Sequence, residues 1–205
     1  MKLRIGSAFA LSAAFVLASG GAAAQGGAAS APAGERFAAC LACHGERGVS
    51  SLPLTPSLAG QPSFYAITQL FLFREGRRQN EAMTAVAKGM SDADLRAFSE
   101  LIAKLPAPPA AAASDAARSA RGADIAQRFR CASCHGADYA GGQQVARLAG
   151  QREDYLNKAL AEFRAGTRVG YTSAMSEALA GVQPDELGDL AHYLATFATA
   201  AKPAQ

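Results

Sequence analysis

Cys40-Leu41-Ala42-Cys43-His44-Gly45 returns 91 residues later as Cys131-Ala132-Ser133-Cys134-His135-Gly136. The echo extends well beyond these six residues. Leu58-Ala59-Gly60-Gln61 recurs as Leu148-Ala149-Gly150-Gln151, and Phe73-Arg74-Glu75-Gly76 as Phe163-Arg164-Ala165-Gly166, both at an offset of 90. Tyr65 answers to Tyr155 at 90, Met83 to Met175 at 92, and Asp94-Leu95 to Glu186-Leu187, also at 92. The signals keep their order, and the small drift in offset is that of short loop insertions. Two copies of one domain, rather than a many-repeat solenoid, is the natural reading.

The repeated hexapeptide carries specific chemistry. Two cysteines three apart bring two thiols to one edge of a porphyrin, where each can form a thioether with a vinyl group. The adjacent histidine is then held under the iron as its proximal ligand, and this is why Cys-x-x-Cys-His specifies attachment of haem c. The candidate attachment residues are Cys40, Cys43, Cys131 and Cys134, and the candidate proximal ligands are His44 and His135. A structural zinc would need a fourth ligand in each copy. His192 has no counterpart in the first copy, where Glu100 stands. A thioredoxin-like redox pair belongs in a βαβ context that the sequence lacks. Two plain disulfides would leave both histidines without a purpose. The spacing therefore predicts two covalent haems.

The start of the chain sets the expected compartment. Lys2 and Arg4 precede an apolar run, Ile5 to Leu17, and Ala22-Ala23-Ala24 supplies a small-residue cleavage pattern before Gln25. This reads as a secretory signal peptide over residues 1–24. The apolar run is about 13 residues, short of the roughly 20 needed to span a bilayer. Loss of Lys2 and Arg4 lowers Lys+Arg from 20 to 18 against 17 Asp+Glu, so the mature chain is nearly neutral. No basic block or aromatic-basic interleaving points to nucleic acid.

Residues 25–105 are expected to form the first haem domain and residues 120–205 the second. Pro106-Ala107-Pro108-Pro109 opens a proline- and alanine-rich linker over 106–119, extended and semi-rigid. Each copy reads as helical: a short helix into Cys-x-x-Cys-His, a helix around Phe64–Arg74 or Tyr155–Arg164, and a final helix. Ser63 and Asp154 are candidate caps for the middle helices. In the final helices, Leu95, Phe98, Ile102 and Leu105, and likewise Leu187, Leu190, Leu194 and Phe197, share one face. No segment alternates as a strand would.

Haem iron in electron carriers is commonly six-coordinate, and a methionine sulfur raises its reduction potential. Met83 follows His44 by 39 residues and Met175 follows His135 by 40. Met90 is the rival in the first copy, but its repeat partner is Val182, which cannot bind iron. The repeat thus selects Met83 and Met175 as distal ligands and leaves Met90 to the core. His192 is expected to be a surface or partly buried helix residue.

Taken together, the two Cys-x-x-Cys-His-Gly motifs, the Leu-Ala-Gly-Gln blocks, the segments at Arg74–Arg78 and Arg164–Arg168, the late methionines and the final Asp/Glu-Leu helices resemble a dihaem class I cytochrome c of the cytochrome c4 type. The resemblance covers nearly all of the mature chain. It implies an all-α fold of two tandem class I cytochrome c domains, each wrapping one covalent haem c, with the haem edges facing across a domain interface. It implies a periplasmic electron-transfer protein and not an enzyme. The expected partners are redox proteins such as a quinol-oxidising complex, a dehydrogenase or a terminal oxidase, with membrane-surface association as a further expectation. A cytochrome subunit of a larger dehydrogenase shares the same chemistry. A haem enzyme such as a peroxidase needs an open iron position, which two methionine ligands would deny. In the family, a proline carbonyl two residues before Leu-Ala-Gly-Gln accepts a hydrogen bond from the proximal histidine. Pro56 matches, but the second copy has Ala146, so the two haems are expected to differ in potential.

Overall fold

The computed structural model describes residues 31–112, 115–168 and 172–198. The expected signal peptide lies outside the described residues. Among the described residues, four helices form the first half: α1 (Ala33–His44), α2 (Ser63–Arg74), α3 (Glu81–Ala87) and α4 (Asp92–Lys104). Five form the second: α5 (Ala116–Arg128), α6 (Ala132–His135), α7 (Glu153–Arg164), α8 (Ala174–Leu179) and α9 (Glu186–Thr196). Among the described residues there is no strand beyond one isolated bridge, Gly142 to Val145. Nor is any described helix long and apolar enough to cross a membrane.

Each half has its own core. In the first, Phe37 of α1, Leu70 of α2 and Leu95, Phe98 and Ile102 of α4 are buried together. In the second, Ile125 of α5, Leu156 and Leu160 of α7 and Leu187, Leu190 and Leu194 of α9 do the same. These are the faces that the helical periodicity marked. Full burial of each such side chain contributes about 1.5–3 kcal/mol. The first and last helices of each half pack on one another, α1 on α4 and α5 on α9.

The helix ends depart from expectation in instructive places. Ser91 caps α4 through a full capping box with Asp94, and Leu105 closes it immediately before Pro106, as a proline demands. Neither Ser63 nor Asp154 takes the N-cap position, although Asp154 Oδ1 accepts from the Tyr155 N–H within the first turn of α7 at 2.7 Å. The N-cap positions of α2 and α7 are Pro62 and Arg152, neither with a side-chain cap bond. Asp154 is instead turned toward the other half, where its carboxylate accepts from the Leu54 N–H at 2.9 Å. The helix entering the second Cys-x-x-Cys-His is broken. Arg130 adopts a φ of 52° between α5 and α6, whereas α1 runs unbroken into His44. The short helices α3 and α8, which carry Met83 and Met175, went unforeseen.

The Leu-Ala-Gly-Gln blocks sit where the two halves and the proline-rich segment meet. Gly60 and Gly150 have φ of 66° and 72°. A Cβ on Gly60 would press on Ala107, and one on Gly150 on the carbonyls of Pro108 and Pro109. Only glycine satisfies both demands. The segment itself is pinned to α9 by the Ala111 N–H donating to the Ala195 carbonyl at 2.9 Å.

Candidate functional site

The backbone fixes the geometry of the two motif histidines. His44 ends α1 and is buried; its Nδ1 donates to the Pro56 carbonyl at 2.8 Å. His135 ends α6 and is equally buried; its Nδ1 donates to the Ala146 carbonyl, also at 2.8 Å. A carbonyl can only accept, so each ring carries its proton on Nδ1 and keeps the Nε2 lone pair for a metal. Burial lowers the pKa of both rings, against the opposing pull of the carbonyl bond, which favours the neutral form that ligates. The exchange of Pro56 for Ala146 leaves the length of this bond unchanged.

All four cysteines are free. Cys40 and Cys131 are half-buried against the two cores, and burial raises the pKa of both thiols. Cys43 and Cys134 are exposed. Among the described residues, no cluster of three or more His, Cys, Asp or Glu is placed to hold a metal ion. Each half thus sets a pair of cysteines beside one imidazole whose Nε2 can bind a metal, a donor set that fits a covalently tethered porphyrin.

Met175 of α8 brings its Sδ to 3.5 Å from His135 Nε2. Met83 lies in the first turn of α3, whose N-cap Asn80 accepts from the Met83 N–H at 2.9 Å. Both Met83 and Met90 are partly buried against the first core. The backbone distinguishes them. Arg74 donates to the Met90 carbonyl at 3.2 Å, and its repeat partner Arg164 donates to the Val182 carbonyl at 2.6 Å. Met90 thus occupies the place of the fully buried Val182. His192 is buried rather than exposed, and its nitrogens are engaged elsewhere. Nε2 accepts from the Asp115 N–H at 3.0 Å, and Nδ1 donates to the Glu153 carboxylate at 2.9 Å.

Several residues that the repeat marked, without revealing their purpose, join the two halves. Gln61 donates through Nε2 to the Arg147 carbonyl and accepts through Oε1 from the Arg147 N–H, both at 3.0 Å. Gln151 does the same to Ser57, donating to its carbonyl at 2.8 Å and accepting from its N–H at 2.7 Å. Ser57 and Arg147 are themselves 90 residues apart, so the two pairs are related by the repeat. Nearby, the Tyr155 hydroxyl accepts from Arg78 at 2.9 Å and from Arg168 at 3.0 Å. Burial alone would raise the Tyr155 pKa, but the two guanidiniums outweigh it and pull it down to about 8. Tyr65, by contrast, is pushed up by burial and by Tyr155. A polar glutamine ending an otherwise small and apolar Leu-Ala-Gly block, twice, was the available sequence signal for this seam.

A tandem all-helical chain with two such cysteine–histidine sites defines a class, the c-type cytochromes with one haem site in each of two domains. Residues 119–198 match the family model described as cytochrome c. The chain is 34% identical over 175 residues to the cytochrome c4 of Thiocapsa roseopersicina, spanning 79% of this chain and 90% of that one. It is 33% identical over 150 residues to a thiosulfate dehydrogenase electron acceptor of Thiomonas intermedia, spanning 68% and 69% of the two chains. The solved cytochrome c4 structure of Acidithiobacillus ferrooxidans superposes with a TM-score of 0.69 at 29% identity, covering 77% of this chain and 98% of that one. The chain belongs to the cytochrome c4 family. It is a dihaem electron-transfer protein with two covalently bound haems c.

Proposed function

We propose that Cys40 and Cys43 tether the first haem and Cys131 and Cys134 the second, with His44 and Met83 as the axial ligands of one iron and His135 and Met175 of the other. The observation that carries this reading is the second site. There one imidazole is committed to a carbonyl through Nδ1, and its free Nε2 faces a thioether sulfur at 3.5 Å. The equivalence of Met90 to Val182 supports Met83 as the partner in the first site. Each bound haem supplies a one-electron iron couple. The chain orients the imidazole, excludes water with the two apolar cores and sets the couple through ligand choice and hydrogen bonding.

The domains run from 25 to 105 and from 120 to 205, joined by 106–119, and the protein works in the periplasm once residues 1–24 are removed. Its donors are dehydrogenases, a reading supported by the relative that bears the name of a thiosulfate dehydrogenase electron acceptor. A quinol-oxidising complex is a further donor, and a terminal oxidase or another redox protein is the acceptor.

Substitution of the methionines tests the ligand set. Met83→Ala and Met175→Ala should each abolish one of two methionine-to-iron charge-transfer bands in the ferric protein, while Met90→Ala leaves both. Loss of a band in Met90→Ala would overturn the assignment of the first site.

A further inference from the structure

The peptide groups that hold the proximal histidines are also those that the opposite domain grips. The Ala146–Arg147 peptide accepts from His135 Nδ1 through its carbonyl, and its N–H donates to Gln61 Oε1 in the first half. The Pro56–Ser57 peptide accepts from His44 Nδ1, and its N–H donates to Gln151 Oε1 in the second half. All six groups are largely shielded from water: His44, His135, Gln61 and Gln151 are each at most 6% exposed, and Ser57 and Arg147 are 2% and 7% exposed. Two short chains of hydrogen bonds therefore cross the molecule in opposite directions, each ending at one domain's histidine and starting at the other domain's glutamine.

We propose that Gln61 and Gln151 are positioning residues that tune the haem of the opposite domain. An amide whose N–H is engaged by an acceptor carries more negative charge on its oxygen, and hydrogen bonds in series strengthen one another in a dry environment. Gln61 Oε1 thus makes the Ala146 carbonyl a better acceptor. The His135 Nδ1–H bond strengthens, the imidazole gains anionic character, and its Nε2 becomes the more basic ligand. A more basic ligand favours ferric iron, so the reduction potential falls. Gln151 acts on His44 by the same route. This inference rests on His44 and His135 being the proximal ligands.

The signature is crossed, which a merely structural role would not produce. In the holoprotein, with each haem's potential measured separately, Gln61→Leu should shift the ferric/ferrous equilibrium of the second haem severalfold toward ferrous and leave the first in place. Gln151→Leu should do the reverse. Gln61→Glu keeps an acceptor oxygen at the same point, so it should lower the second potential or leave it unmoved, and this variant carries the test if Gln61→Leu does not accumulate as holoprotein. The proposal is overturned if Gln61→Leu moves the haem of its own domain as much as the other, if it moves neither, or if Gln61→Glu raises the second potential. Failure of the underlying ligand assignment reads out separately. The two methionine–iron bands and their loss in Met83→Ala and Met175→Ala report ligation, whereas failure of the coupling alone leaves those bands normal in every glutamine variant.

Discussion

At the scale of single residues, the two haem sites are near copies whose difference in charge lies at position 57 and its repeat partner 147. Ser57 stands in one and a buried arginine in the other. The neighbouring difference, Pro56 against Ala146, leaves both histidine bonds at 2.8 Å and so removes no bond from either site. Arg147 is different in kind. Burial lowers its pKa, with Asp138 opposing, yet a guanidinium remains charged in a protein. A fixed positive charge in a water-poor region favours ferrous over ferric iron nearby. Arg147→Gln should therefore lower the potential of the second haem relative to the first in a haem-by-haem redox titration, while Arg147→Lys largely preserves it. Equal movement of both potentials would show that the charge does not act locally. The candidate cysteines, histidines and methionines stand out in the sequence because each is a rare residue type recurring at a matching place. The role of Gln61 does not, because its partner is a backbone group 86 residues away that no side-chain pattern announces.

At the scale of elements, the long amphipathic helices followed directly from apolar spacing, and the short ones did not. Seven residues of α3 and six of α8 complete too few turns to display a periodic face. Their positions depend on where the rest of the domain leaves the chain. Asp154 misses the N-cap position for a similar reason, since one of its oxygens is drawn into a tertiary contact with Leu54. Ser91 and Asp94 show the opposite case, a capping box that local sequence does specify. Asp94 also pairs with Arg36, so one carboxylate ties α1 to α4. That Arg36 bond first, and the Ser91 bonds next, hold its pKa well below the ordinary carboxylate range. A carboxylate depressed in the folded state contributes stability that is present above its unfolded pKa of about 3.9 and is lost as pH falls toward the folded value. Asp94→Asn should therefore lower the melting temperature at neutral pH, by an amount consistent with loss of a cap worth about 1 kcal/mol. The deficit should shrink as the pH falls below about 4. A deficit independent of pH would mean that the charge contributes nothing.

At the scale of the whole molecule, the internal repeat explains more than the presence of two sites. The repeat supplies matching glutamines, tyrosines and arginines, and the pairing of Gln61 with Arg147 and of Gln151 with Ser57 joins the halves through equivalent positions. The sequence revealed that the halves correspond but not how they meet, because correspondence is a property of each copy and contact is a property of their packing. The central claim is that each copy carries its own covalently bound haem. It is tested most directly by mass spectrometry of the denatured holoprotein and of a Cys131→Ala/Cys134→Ala variant. Two haem masses are expected on the parent chain and one on the variant. A parent chain that retains one haem or none, or a variant that still retains two, would contradict it.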